Sequence, residues 1–188
     1  MFSTQSIVYA WDNGLRYALA LLDDLTDEQM VLRPGGNMNH PTWILGHMAL
    51  YYPIIPALLR GESFADPADN ELFGFRGRGP QSDPTVYGSK ESQLNRMRVG
   101  HEQVAQALLS ARAEDFNRPP SLPRWAAMYP TVEFMLPDLL LLHENIHIGQ
   151  LSIWRRAADL PGVDFPDRTP RPGLIDSLGH KRRQVPLG

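Results

Sequence analysis

The sequence predicts an all-α fold, a four-helix bundle with a long crossover between its second and third helices. Three observations lead there. Four segments repeat apolar residues at helical spacing. No stretch shows the short apolar–polar alternation of strands bounded by turns. The connection from Glu62 to Gly88 is long and rich in glycine and proline, unlike the tight link of a simple hairpin.

The first helix is expected from about Thr4 to Leu22, with Val8, Trp11, Leu15, Ala18 and Leu22 on one stripe. The second starts at Asn39 or His40 and ends at Gly61. Asn39 can cap its exposed N–H groups, Pro41 suits the first turn and Gly61 the stop. The third runs from about Ser89 to Ala113, with Leu94, Met97, His101, Val104 and Leu108 in line. The fourth runs from about Thr131 to Asp159 and stops before Leu160-Pro161-Gly162. Residues 1–160 then form the bundle. Residues 161–188 form an irregular, Pro/Gly-rich tail that packs on it or extends from it. The connections Asp23 to Met38, Glu62 to Gly88 and Glu114 to Pro130 are long enough to cover a site.

A chain of 188 residues, 43% hydrophobic, is enough for one domain with a substantial core. Its net charge of −3 offers no basic face for nucleic acid. The one basic cluster, Lys181-Arg182-Arg183, reads as a solvated tail. With no cysteine, disulfides, a Cys-type zinc site and a cysteine nucleophile are excluded. The first residues lack a signal-peptide pattern, and a cytoplasmic location is expected. The 19 residues from Pro41 to Leu59 carry no charge and imitate a membrane span. Pro53, Pro56, Gly46 and His47 inside that stretch favour a buried bundle helix, so no membrane partner is expected.

Chemistry concentrates at His143-Glu144-Asn145-Ile146-His147. Histidines four apart share a helical face, because the helix turns every 3.6 residues. Leu136, Leu140 and Trp154 fall on that face too, so the imidazoles look inward, and a shared metal ion would satisfy both. The letters also match the zinc-protease motif. That class needs a later Glu or His ligand; no Glu follows Glu144 and the only later histidine is His180. Gln150 and Ile153 stand where the extended motif wants Gly and His. A third ligand is therefore sought upstream, where His47 lies in the apolar context Trp43-Ile44-Leu45-Gly46-His47. A lone histidine there would read as a core residue; beside the pair it reads as a third ligand. Gly46 would let a neighbouring element approach the backbone closely.

The block Trp43-x-x-Gly46-His47, followed by His143-Glu144-x-x-His147-x-Gly149-Gln150-Leu151, resembles the DinB-like superfamily. Leu72-Phe73-Gly74 and Trp154-Arg155-Arg156-Ala157 are similar to it as well, so the resemblance spans about residues 5 to 160. It implies up-down-down-up topology, frequent homodimers, and a divalent metal, often zinc or nickel, held by His47, His143 and His147. Some members are thiol-dependent transferases or isomerases using bacillithiol or mycothiol. In this chain a low-molecular-weight thiol would have to arrive as a cosubstrate.

Three neutral nitrogens leave a divalent ion its full charge and an open position, where water or a thiol would be acidified. The expected function is hydrolysis or transfer on a small molecule. A non-catalytic metal-binding or dimerisation bundle is the alternative. Candidate catalytic residues are Glu144, Gln150 and Tyr51. Tyr51 and Trp43 lie one turn either side of His47, and Gln150 lies near the face of His147. Glu144 is open to two readings, an acid–base group or a helix-surface carboxylate. His101 reads as a hydrogen-bonded core residue that could approach the site. His40, two turns from His47, is too far to share its ion.

Overall fold

In the computed structural model, which describes residues 3–174, Ser3 opens the first helix: its hydroxyl accepts from the N–H of Ser6 at 3.2 Å. Helix α1 (Thr4–Ala20) follows, then a single turn α2 (Asp27–Met30) fixed by a Thr26/Gln29 capping box. Helix α3 (Pro41–Ala49) is capped by His40 rather than Asn39. The His40 Nδ1 accepts from the N–H of Trp43 at 3.1 Å, while its Nε2 lies 2.9 Å from the carbonyl of Gln81.

The expected second helix is interrupted. After Ala49 the chain turns through Leu50–Pro53 and resumes as α4 (Ile54–Leu59). Pro53 has no N–H to continue the ladder, and Tyr51 sits in the break. By length and composition Pro41–Leu59 could cross a membrane, but 83% of that window is buried inside the protein. Two short helices ride on the long connections: α5 (Pro67–Phe73), capped by Asp66, and a 3-10 turn at Pro84–Val86. Helix α6 (Lys90–Ser110) is capped by Ser89 and buries Leu94, Met97, His101, Val104 and Leu108, the expected stripe.

Short helices α7 (Ala113–Phe116) and α8 (Pro123–Ala126) lead to the last long helical run. It begins as α9 (Val132–Pro137), widens to a π-helix over Asp138–His143, and continues as α10 (Glu144–Ala157). Pro137 has no N–H for the carbonyl of Glu133 four residues earlier, and the wide turn begins directly after it. The described residues are helical with no strand among them. Helix α6 packs against α1, α3 and α4, while α10 packs against α1 and α3. Trp11, Ile44, Met48, Ile55, Leu151 and Trp154 lie at their shared core.

Two charged anchors close the ends. Arg155, buried, donates to Leu21 O (2.8 Å), Pro161 O (2.9 Å) and the Asp24 carboxylate (2.6 Å). Residues 161–174 lie along α1: Arg16 donates to Asp167 O and Thr169 O, and Phe165 stacks on Tyr17. Arg171 grips the buried Asp12 through Nε (2.7 Å) and reaches Glu102 at 2.8 Å. Lys181-Arg182-Arg183 and His180 lie outside the described residues.

Candidate metal centre

Helix α3 supplies His47, the last residue of the π-helix supplies His143, and α10 supplies His147. The Nε2 atoms of His47 and His147 each lie 3.2 Å from the Nε2 of His143. All three candidate ligand atoms fall within 4.8 Å of one another. A tetrahedral ion with metal–nitrogen bonds of about 2.0–2.1 Å separates its ligand nitrogens by roughly 3.3 Å. The spacing fits.

The outer ring atoms say which nitrogens are free to bind. His47 Nδ1 lies 2.7 Å from the carbonyl of Phe73, which can only accept, so Nδ1 carries the proton. His147 Nδ1 lies 3.0 Å from Oε1 of Gln150 and is held in the same tautomer. Both Nε2 lone pairs therefore point at His143, and one N–H there can satisfy only one of them well. His143 Nδ1 is buried without a partner. Lone pairs directed at one another are unfavourable unless a cation lies between them, and this donor set suits a divalent metal.

Burial sets the charge state. It pushes His47 down to about 4, against the pull of the Phe73 carbonyl, with His147 adding repulsion. Burial does the same to His143, also to about 4, reinforced by His147 and His47. His147 is lowered by burial, opposed by its bond to Gln150. All three are neutral at neutral pH, the form that ligates a metal.

Aromatic rings frame the imidazoles. Trp43 stacks on His47 at 4.8 Å, nearly parallel, with its Nε1 buried and unpartnered. Tyr51 stands edge-on to both His47 (5.5 Å) and His143 (5.1 Å). Its hydroxyl, raised by burial and opposed by the charge of Arg124, makes no hydrogen bond among the described residues.

The structure places Gln150 behind His147, and Tyr51 against two histidines. Glu144 goes elsewhere. Its buried carboxylate accepts from Trp11 Nε1 at 2.7 Å and bonds to none of the three histidines. The Tyr52 hydroxyl lies beside the same carboxyl without forming a well-shaped hydrogen bond. Burial lifts Glu144 to about 8, against the Trp11 bond, so it is neutral at neutral pH. His101 also stays out of the cluster: it stacks on Trp11 at 3.6 Å and lies 2.8 Å from Asp12.

The sequence contained no sign of Phe73's role, although Leu72-Phe73-Gly74 marked the place. Its ring fills the space beside Gly46, where an added Cβ would lie 2.1 Å from it, and its carbonyl orients His47. The close approach expected at Gly46 is made by Phe73.

A helical protein with three converging neutral histidines on separate helical segments is a candidate metalloprotein. The family model described as the DinB superfamily matches residues 10–151, most of the chain, and the chain belongs to that superfamily. No curated protein matches it.

Proposed function

We propose that the protein is a metal-dependent enzyme acting on a small molecule, by hydrolysis or by transfer involving an exogenous low-molecular-weight thiol. The convergence of three Nε2 atoms, with two tautomers locked by Phe73 and Gln150, carries this reading. A bound zinc or nickel ion would supply Lewis acidity at its open position. His47, His143 and His147 would hold it without adding charge. Gln150 keeps the ring of His147 turned toward the centre. Tyr51, still protonated at neutral pH, can donate a hydrogen bond to a substrate oxygen beside the histidines. Glu144 is read as a holding residue, fixing Trp11 of α1 against α10.

The alternative is a metal-binding module without turnover, in which aromatic rings seal the ion. Tyr51 also lines an open cleft, which favours chemistry. The same reading includes the family's up-down-down-up bundle, a cytoplasmic setting and a homodimer. Leu142, Ile146 and Ile153 form an exposed apolar stripe, and a Cβ added at Gly149 between them would meet nothing. A second copy of that helix could cross there.

Elemental analysis of the purified protein beside His47→Ala and His143→Ala tests the centre. About one zinc or nickel per chain, lost in both variants, supports it. No metal after reconstitution overturns it.

A further inference from the structure

Two of the long connections meet beside Tyr51. Residues from 64–76 and from 122–125 wall a cleft of about 500 Å³, and Tyr51 belongs to it as well as to the histidine cluster. The volume is that of a small-molecule site. Its wall is aromatic: Tyr51, Phe64, Phe75 and Trp125 line it, and Trp125 lies 5.9 Å from the Tyr51 ring. Phe75 is 80% exposed, a large apolar ring left in water at the cleft.

The charges in the cleft are uneven. Arg76 and Arg124 both line it, and neither makes a hydrogen bond or ion pair among the described residues. Elsewhere the described arginines of the long connections are mostly paired: Arg78 with Glu71, Arg118 with Asp115, Arg112 with Glu114. Glu71 is the one carboxylate in the cleft wall, and Arg78 holds it at 2.9 Å. Arg124 is close enough for its charge to act on the Tyr51 hydroxyl. Two free guanidiniums beside aromatic rings suit a ligand with a planar apolar body and a carboxylate.

We infer that this cleft is the substrate site and that it takes a small aromatic carboxylate, with its acid group on Arg76 and Arg124 and its ring against Trp125 and Phe75. The assignment rests on the reading of the three histidines as the reaction centre. Tyr51 is the wall common to cleft and centre, so a ligand seated there lies next to the histidines. The guanidiniums select acids over neutral analogues, and the rings select planar bodies over short aliphatic acids.

The test is ligand-detected NMR titration of the full chain, stripped with a chelator so that no ion can bind the probe directly. The probes are phenylacetate and phenylacetamide. Phenylacetate is expected to bind more tightly than the amide by about fivefold or more. The Arg76→Gln/Arg124→Gln double variant should erase that difference, and Trp125→Ala should weaken both probes. Equal binding of acid and amide, binding of neither, or an acid preference that survives in the double variant would overturn the assignment. Metal content of the double variant separates the two readings. If it matches the parent while the acid preference is lost, both readings stand. A parent that takes up no metal yet prefers the acid overturns the metal centre, and with it the cleft's standing as a substrate site, leaving acid binding by the two arginines.

Discussion

The ring of Phe73 occupies the space that a side chain at residue 46 would need. A Cβ on Gly46 would sit 2.1 Å from that ring, which is buried and cannot swing aside cheaply. Because the Phe73 carbonyl also holds His47 Nδ1, the glycine, the phenyl ring and the ligand geometry form one unit. Gly46→Ala is expected to destabilise the fold by about 1–3 kcal/mol through overpacking. It should also weaken metal binding by roughly tenfold as His47 loses its orienting carbonyl. Thermal melts and competitive metal titration check the two effects together; unchanged affinity with lowered stability would dissociate Phe73 from the centre.

Metal affinity should depend little on pH. His47 and His143, near about 4, are neutral both at about pH 7.5 and at about pH 5.5, and the lowered His147 is neutral at the higher value. Zinc is therefore expected to bind with affinities within about tenfold at the two values. Three ordinary imidazoles would lose roughly a thousandfold over that range by proton competition. A loss of that size would mean the three rings are hydrated and ordinary.

Glu144 should give the metal-free protein an alkaline weakness. Its folded value of about 8 lies above its ordinary 4.5, so its contribution to stability is full below about 4.5 and lost as pH rises through about 8. Between about pH 6.5 and 8 the loss is about 2 kcal/mol. Glu144→Gln keeps an acceptor for Trp11 and cannot ionise. Denaturant melts of the variant should stay flat over that window while the parent declines. Parallel curves would show that water reaches the carboxyl.

If the exposed stripe on the last helical run pairs with its own copy, Ile146→Asp will leave a monomer. Sedimentation of parent and variant checks this, with metal content as a control on the centre. A parent that is itself monomeric removes the stripe from consideration.

Much of the centre was legible because helical spacing is a local property. His143 and His147 declare a shared face, and the apolar surroundings of His47 turn it inward. The stripe on α6 was readable for the same reason. The break at Leu50–Pro53 and the π-helix were not read, although Pro53 and Pro137 mark both places. A proline shows where a ladder loses a bond, but not whether the chain bends, stops or widens. The burial of Glu144 and Arg155 depends on partners from distant segments, Trp11 for one and Leu21 and Asp24 for the other. Neither pairing follows from periodicity. Arg76 and Arg124 stand out only once two loops are brought to the same cleft.

The grip of Arg171 on Asp12 joins residues 159 apart in sequence. Burial alone would push that carboxyl up; hydrogen bonds from His101 and Arg171, with the charge of Arg171, bring it below its ordinary value. On the ribosome the first helix emerges long before its cation does. Until residue 171 has been made, an ionised Asp12 must stay hydrated or lean on His101, which keeps the packing of α1 against α6 provisional. That part of the interior therefore closes only after residue 171 has been made, and a chain carrying Arg171→Ala would leave the Asp12 charge answered by His101 alone.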